Sequence, residues 1–395
     1  MIIRYLYIFA FASLLLSSCN RHPKVETTPW GTVVGEDSAY AEGFSLADIQ
    51  TNGELIVLTL SGPDTYYEYH GRGMGLHFLL AERFAQKIGV LLRMEVCKDT
   101  AEMVRRLNAG EGDVMACMMR KGTGGTVCAG VRDSSGTKGW AVSARNKDLA
   151  SALDSWFRLS MVSEVSREER FALSGKGVRR KVYSPMLNRK GGVISRYDNL
   201  FRQYAPLARW DWRLIAAQCY QESTFDPQAR SWAGACGLMQ IMPSTADMIG
   251  LAREDIHDPE KNVEAACRYI GQLSRKFADV HGREERTKFV LASYNGGFYH
   301  IRDAMALAEK NGKDKYVWND VKEFVLALQQ PRYYNDPIVK NGYMRGTETV
   351  GYVEKIMARY ADYRKVAHGD SAFSTFGQGS LSPRRSSKAN RYQVN

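Results

Sequence analysis

Apolar runs in the first half of the chain alternate between two periodicities, and this alternation is the strongest constraint on the fold. Short runs rich in β-branched residues are typical of strands, and runs with apolar residues at i, i+4 and i+8 are typical of helices. The predicted elements are strand 55–60, helix 75–88, strand 91–96, helix 100–108 and strand 113–119. Strands that alternate with helices indicate a parallel sheet. We therefore predict an α/β lobe over residues 51–160.

From about residue 191 the patterns are helical only. Helices are predicted at 195–204, 262–277, 287–293, 301–310 and 321–329. A length of 395 residues suggests two domains, and 44% hydrophobic with 25% charged residues is a globular composition. The fold class is therefore α+β multidomain, with an N-terminal α/β lobe and an all-α C-terminal domain at 191–365. A charged linker is predicted at 161–190 and a disordered tail at 366–395.

The N-terminus has the features of an export signal. One cation, Arg4, precedes an apolar run at 5–16 that is too short to span a bilayer, so residues 1–18 are interpreted as a signal peptide. The run ends in Leu-Ser-Ser-Cys19, which resembles the bacterial lipoprotein processing box. This implies acylation of Cys19 and membrane anchoring, with residues 19–50 as a tether. The alternative is an ordinary signal peptide with an incidental cysteine.

Localisation follows from the residue after the modified cysteine. Asn20 is not the aspartate of the familiar inner-membrane retention signal, so we expect an anchor in the outer membrane of a Gram-negative cell, facing the periplasm. The formal net charge of +11 implies an anionic partner. No helix-turn-helix, zinc-finger or aromatic RNA-binding signature is present, so nucleic acid is not the expected partner. A carboxylate-rich cell wall fits the charge better.

Six cysteines besides Cys19 lie in the chain. An even number in an oxidising compartment permits three disulfides, although buried free thiols are the alternative. We hypothesise that Cys219 pairs with Cys236 or Cys267. No Cys-x-x-Cys or His-x-x-x-His spacing occurs, so neither a metal site nor a cofactor is predicted.

Residues 215–243 contain the glutamate on which we place the chemistry. An apolar run leads into Glu222, and Asp226 before Pro227 closes the segment because a residue before proline leaves helical geometry. Glu222 is thus predicted in the last turn of a mostly apolar helix. A carboxyl group held against apolar surface is poorly solvated when ionised, so its pKa rises toward the range that suits proton donation near neutral pH. Asp226 is interpreted as a turn residue.

Three further motifs follow in a fixed order. They are Gly-Leu-Met-Gln-Ile-Met-Pro at 237–243, Ser-Tyr-Asn-Gly-Gly at 293–297 and Glu-Thr-Val-Gly-Tyr-Val at 348–353. Together with Glu222 they resemble the soluble lytic transglycosylase (SLT) family over about residues 188–363. The resemblance implies a lysozyme-like, mostly helical domain that cleaves the glycan strands of bacterial peptidoglycan.

The resemblance also implies a mechanism and a set of site residues. Glu222 would protonate the oxygen between N-acetylmuramic acid and N-acetylglucosamine, and then take the proton of the muramoyl C6 hydroxyl, which closes on C1 to give a 1,6-anhydro end without water. The matching positions are Ser231 near the N-acetyl group, Gln240 and Met242 in the sugar subsites, Tyr294 and Asn295 near the acid, Glu348 toward the peptide stem, and Tyr352 with its hydroxyl on the glutamate.

Several of these residues have a structural alternative. Ser231 could serve turn chemistry, Met242 could fill the core, Glu348 could cap a helix, and Tyr294 with Asn295 could shape a turn. Two other functions also stay open. One is a lysozyme-like muramidase that uses water, and the other is a non-catalytic wall-binding lipoprotein.

The N-terminal lobe resembles lobe one of the family-three periplasmic solute-binding proteins. The residues that carry this resemblance are Gly-Glu-Leu-Ile-Val at 53–57, Tyr-Tyr-Glu at 66–68, the helix at 75–89 and the run 107–114. That family crosses into a second lobe after the third strand, whereas here residues 139–142 already look like the returning strand. Ligands in such proteins are buried between two lobes, so we expect a single lobe not to bind an amino acid tightly.

Overall fold

The computed structural model describes residues 26–27, 33–34, 44–174 and 177–368. The predicted signal peptide, Cys19, most of the predicted tether and the tail beyond residue 368 lie outside the described residues. Strands β1 (Glu26–Thr27) and β2 (Val33–Val34) pair antiparallel. Among the helices in the described ranges, none combines the length and the apolar character needed to cross a bilayer.

A five-stranded sheet forms the centre of the α/β region. Its strands are β3 (Glu54–Leu60), β6 (Leu91–Cys97), β7 (Val114–Arg120), β8 (Thr126–Arg132) and β9 (Lys138–Ser143), in the spatial order β6-β3-β7-β9-β8. Strand β3 pairs parallel with β6 and β7, because a helix connects each successive pair. Strand β9 runs antiparallel to both β7 and β8, so the prediction of a parallel sheet holds for one half only. A short turn joins β8 directly to β9, which accounts for the antiparallel pairing of these two strands.

Five helices belong to this region: α1 (Leu46–Asn52), α2 (Leu76–Ile88), α3 (Thr100–Asn108), α4 (Lys147–Trp156) and α5 (Ser160–Ala172). Helix α2 buries Leu80 and Phe84 in a core that also holds Trp140 of β9. It ends at Gly89, whose left-handed φ of 77° suits glycine at a helix terminus. In the sequence between β3 and α2, the strands β4 (Tyr67–Tyr69) and β5 (Arg72–Met74) form a small hairpin.

The rest of the described chain is mainly helical. The helices are α6 (Asp198–Ala208), α7 (Trp212–Ser223), α8 (Pro243–Ile249), α9 (Pro259–Lys276), α10 (Arg283–Gly296), α11 (Phe298–Lys310), α12 (Trp318–Ala327), α13 (Pro331–Tyr334) and α14 (Gly346–Val366). Short strands β10 (Val178–Arg179) and β11 (Arg230–Ser231) pair antiparallel and attach the connecting segment to the helices. The predicted fold class, an α/β region followed by an all-α region, is confirmed.

Helix α7 is at the centre of the helical core, and packs against α6 and α14. Its N-cap Asp211 accepts a hydrogen bond from the backbone NH of Arg213 and forms a buried ion pair with the Arg213 guanidinium. Trp212 and Phe201 are fully buried beside it. An N-cap with a satisfied buried charge fixes where the helix begins.

The hypothesis of a disulfide at Cys219 is wrong. The structure has Cys219, Cys236 and Cys267 as buried free thiols, and the other three described cysteines are free as well. The Cys219 sulfur lies 3.4 Å from the carbonyl oxygen of Leu238, within the apolar core. These cysteines therefore act as small core residues, which is a common use of buried cysteine.

The α/β region and the helical region touch along one face. The backbone NH of Tyr343 donates to Ser61 Oγ at 2.8 Å, and the rings of Tyr67 and Tyr343 meet edge to face with centroids 5.1 Å apart. Tyr67 also donates from its hydroxyl to Glu169 of α5 at 3.1 Å. These contacts hold the β4–β5 hairpin against the helical region.

Candidate active site

Glu222 lies in the last turn of α7 and opens onto a cavity of about 450 Å³. The helix ends directly after it, because Thr224 and Phe225 take left-handed φ values of 53° and 64°. Non-glycine residues adopt this conformation rarely and at an energetic cost. The sharp reversal points the chain away from the helix axis and leaves the last turn as one wall of the cavity.

The electrostatic setting of Glu222 favours the protonated form. Burial raises the pKa of Glu222 to about 7, against the lowering effects of the Tyr352 hydrogen bond and of the His70 and Arg180 charges. Arg180 donates from Nη1 to the backbone oxygen of Glu222 at 2.8 Å. A carboxyl group with a pKa near 7 can donate a proton at neutral pH and accept it back, which is what general acid–base catalysis needs.

Tyr352 of α14 orients the glutamate. Its hydroxyl donates to Glu222 Oε1 at 2.5 Å and accepts from Nε2 of the buried Gln218 at 3.1 Å. Burial and the neighbouring Glu222 carboxylate raise the pKa of Tyr352 well above its ordinary value, so the phenol stays a neutral donor. The relay Gln218–Tyr352–Glu222 therefore fixes one carboxyl oxygen and leaves the other for the reaction.

Residues 237–242 form the wall opposite α14. Gly237 has a φ of 80°, and a Cβ there would lie 2.5 Å from the carbonyl oxygen of Ile256, so only glycine fits. Gln240 lines the cavity, although its Nε2 donates to the carbonyl oxygens of Ala229 and Gly237 at 3.1 and 3.0 Å. Met242 lines the cavity, while Met239 is fully buried in the core.

Asn262 holds this wall in place and was missed by the sequence reasoning. Its side chain, on α9, is fully buried. Oδ1 accepts from the backbone NH of Met239 at 2.9 Å, and Nδ2 donates to the carbonyl oxygens of Ile256 and Cys236 at 2.8 and 3.3 Å. No sequence signal separates this asparagine from a solvated one, because its partners are backbone groups of other segments.

The remaining predicted residues border the same cavity. Ser231 lines it and also accepts from the backbone NH of Ala235 at 2.9 Å, so its predicted turn chemistry is present as well. Tyr294 donates to the carbonyl oxygen of Met239 at 2.8 Å. Asn295 Oδ1 accepts from Thr349 at 2.8 Å. The predicted turn at Tyr294 and Asn295 is wrong, because α10 continues through both residues to Gly296.

Glu348, in the first turn of α14, is held by the α/β region. Its Oε1 accepts from the Tyr69 hydroxyl at 2.9 Å and lies 3.3 Å from His70 Nε2. Burial by itself would raise the pKa of Glu348, but the hydrogen bonds and charge of His70, Tyr69 and Arg345 outweigh burial and lower that pKa. Glu348 is therefore an ionised carboxylate whose Oε1 is already bonded.

The carboxylate of Asp226 does not face the cavity. Oδ2 accepts from the backbone NH of Lys181 at 2.6 Å and Oδ1 from that of Gln228 at 3.0 Å. This is the geometry of a turn residue, as its place before Pro227 predicts. Within the described part of the chain, no group of three or more His, Cys, Asp and Glu side chains is arranged to hold a metal ion.

Parts of the chain are similar to known proteins. Residues 199–317 match the family described as Transglycosylase SLT domain. The chain is 40% identical over 178 residues to membrane-bound lytic murein transglycosylase F of Marinobacter nauticus, and 36% identical over 185 residues to the protein of that name from Vibrio cholerae. The matches cover 45% of this chain in both cases, and 35% and 34% of the relatives. The chain thus spans about a third of the length of these curated relatives.

Solved structures are similar to the two regions separately. The 70 kDa soluble lytic transglycosylase of Escherichia coli matches 43% of this chain at 25% identity with a TM-score of 0.32, over 24% of its own length. Domain 1 of TmArgBP in its arginine-bound form matches 29% of this chain at 20% identity with a TM-score of 0.25, over 96% of its own length. These TM-scores are too low to support an argument about the fold, which is established by the helices and strands described above. The helical region of this chain is thus similar to the transglycosylase SLT domain family over residues 199–317.

Proposed function

We propose that this chain is a peptidoglycan lytic transglycosylase. It cleaves the β-1,4 bond between N-acetylmuramic acid and N-acetylglucosamine without water and leaves 1,6-anhydro ends. The observation that carries the proposal is Glu222, a glutamate with a pKa of about 7 that is oriented by Tyr352 inside a cavity large enough for sugar rings. The similarity to proteins named lytic murein transglycosylase supports the same reaction.

Glu222 performs both proton transfers in the proposed reaction. The protonated carboxyl gives its proton to the glycosidic oxygen, which leaves as the hydroxyl of N-acetylglucosamine. The resulting carboxylate then takes the proton of the muramoyl C6 hydroxyl, whose oxygen forms the new bond to C1. No water is consumed, and Glu222 ends as it began. General acid–base assistance of this kind contributes about a hundredfold to ten-thousandfold.

The second carboxylate of an ordinary glycosidase is not required. Glu222 shares the described part of the cavity with two other glutamates, Glu68 and Glu348. The Glu348 carboxylate is bonded to Tyr69 and His70, which limits its use as a nucleophile. A hydrolase of the usual type needs a second carboxyl free to attack C1 or to activate water. Glu348 is therefore not free for that role, and the similarity to proteins named lytic murein transglycosylase favours internal attack by the C6 hydroxyl over the use of Glu68.

Digestion of purified sacculi tests the proposal. We expect the parent chain to release anhydromuropeptides, and Glu222→Gln to release them at least about a hundredfold more slowly, because glutamine is isosteric but cannot donate the proton. Reducing-end sugars from the parent would indicate a lysozyme-like hydrolase. No soluble products from a parent chain that still binds sacculi would indicate a wall-binding protein.

The substrate requires an envelope location. We propose that the chain is anchored through a lipid on Cys19 in the outer membrane and faces the periplasm, where glycan strands lie within its reach. The relatives' printed description as membrane-bound supports attachment to a membrane. Fractionation of cells that express Cys19→Ala should find the protein in the soluble fraction. A variant that stays with the membranes would contradict the lipid anchor.

A further inference from the structure

The β4–β5 hairpin carries residues of the α/β region into the cavity of Glu222. Glu68, Tyr69, His70 and Gly71 line that cavity together with residues of the helical region. The strands pair from Tyr67 with Met74 to Tyr69 with Arg72, so the turn consists of two residues. We call residues 67–74 the bridging hairpin.

The tip of the bridging hairpin is tight and its base is anchored. His70 and Gly71 have φ values of 49° and 73°, as a two-residue turn of type I′ requires at both positions. At the base, Tyr67 is 4% exposed and Met74 is fully buried. A short turn on a buried base has little freedom to swing, because opening it would expose the apolar base residues.

One side of the bridging hairpin is bonded to α14. Tyr69 donates to Glu348 Oε1 at 2.9 Å, and His70 Nε2 lies 3.3 Å from the same oxygen. Glu348 is one turn before Tyr352, the residue that orients Glu222. The bridging hairpin is thus bonded to the helix whose Tyr352 orients Glu222.

The other side of the bridging hairpin faces the opposite wall. The Arg72 guanidinium lies 4.6 Å from the ring centroid of Trp232, which follows Ser231 and lines the cavity. Glu82 of α2 pairs with Arg72 at 3.1 Å and fixes the cation over the ring. At the tip, a Cβ on Gly71 would lie 3.8 Å from Ser244 Oγ, next to the Met242 wall. The bridging hairpin therefore spans the groove between its two walls.

We propose, on the basis of the function proposed above, that the bridging hairpin makes this chain cleave glycan strands from their ends. An open groove can receive a strand sideways at any point, whereas a groove with its walls connected has to be threaded by a free end. Because the hairpin contacts both sides of the groove, it sterically blocks sideways entry of a strand beneath it. His70 and Tyr69 are specificity-determining residues in this account.

Strand-length analysis of digested sacculi tests the inference. The full chain is compared with Tyr69→Phe/His70→Gly, which removes the bonds to Glu348 and keeps a residue that tolerates positive φ at the turn. The matched control is Tyr299→Phe/His281→Ala, which alters an exposed tyrosine and an exposed histidine outside the cavity. At equal release of product, we expect parent and control to leave long strands at nearly their starting length. The hairpin variant should shift the distribution toward short strands.

The results that would contradict this inference differ from the result that would refute the proposed function. Early shortening of strands by the parent, or equal distributions for the parent and the hairpin variant, would overturn the inference. A parent chain that yields no anhydro ends would refute the proposed function instead.

A cross-link provides an independent measurement. Gly71→Cys/Ser244→Cys joins the tip of the hairpin to the wall when oxidised, and the reduced form of the same variant is its control. Threading predicts that the oxidised enzyme still releases product from strand ends, with the strand-length distribution of the reduced form. Loss of product release on oxidation, restored by reductant, would show that the hairpin must lift and would contradict threading.

Discussion

At the scale of single residues, Glu222 combines an apolar setting with a single strong hydrogen bond. Burial raises its pKa to about 7, and Tyr352 holds Oε1 at 2.5 Å. The two effects oppose each other, because the phenol stabilises the carboxylate that burial destabilises. Their balance leaves the group able to give and take a proton near neutral pH. Gln218, behind Tyr352, fixes the direction of the phenol.

Removal of the phenol hydroxyl should move the pH profile. Tyr352→Phe deletes a donor to the carboxylate, so the pKa of Glu222 should rise further. The proposed reaction begins with protonated Glu222, so the alkaline limb of its pH profile should shift to higher pH, by up to about one unit. The measurement is kcat/KM for anhydromuropeptide release against pH in the parent and the variant. An unchanged alkaline limb, or one that moves toward acid, would contradict the assigned role of Tyr352.

At the scale of elements, the site depends on a turn held by a side chain from another helix. The wall at residues 237–242 has backbone groups that no sheet or helix pairs, and Asn262 of α9 bonds to three backbone groups in and beside it. Sequence patterns located the wall because Gly-Leu-Met-Gln-Ile-Met-Pro is a local motif. They did not locate its support, because a buried asparagine follows no periodicity.

Loss of that support should destabilise the chain and weaken substrate binding together. Asn262→Ala leaves buried backbone groups without partners, at an expected cost of about 2–4 kcal/mol. The measurement is the midpoint of urea unfolding, with KM for sacculi measured below the transition. Asn319→Ala, at an exposed position in the first turn of α12, is the control. An Asn262→Ala midpoint equal to that of the control would show that the wall does not depend on this side chain.

At the scale of the whole molecule, local patterns predicted more than contacts between distant segments. The alternation of strands and helices and the four motifs of the helical region are local, and they predicted the fold class and the acid. Strand β8 escaped prediction because Gly130, with a φ of 68° beside an irregular register, interrupts its period of two. The disulfide hypothesis failed because cysteine count carries no information about distance.

The same limit explains why His70 was missed. It lies 278 residues from Glu348 along the chain, and only the packing of the α/β region on the helical region brings the two together. Arg180 was likewise predicted to be part of a charged linker, yet it donates to the backbone of Glu222. Neither residue is part of a local motif, so no sequence pattern predicted a place for either of them in the cavity.

We expect that the α/β region does not bind a ligand in the way that a two-lobed receptor does. Its described residues form one five-stranded sheet with its helices and the bridging hairpin, and that hairpin contacts the helical region. Calorimetric titration of the full chain with free amino acids should give no binding tighter than millimolar, because one face alone buries too little ligand surface. Micromolar binding would show that the region has retained a receptor function.

If Glu222 cleaves the strand without water, as proposed, no oxygen from the solvent enters the new muramoyl end, and isotope labelling can detect such an oxygen. Sacculi are digested by the parent chain in water enriched in heavy oxygen, and the new muramoyl ends are analysed by mass spectrometry. We expect ends that carry no heavy oxygen, because the C6 hydroxyl supplies the oxygen that bonds to C1. Incorporation of one heavy oxygen at each new end would mean that water attacks C1, and would contradict the proposed reaction.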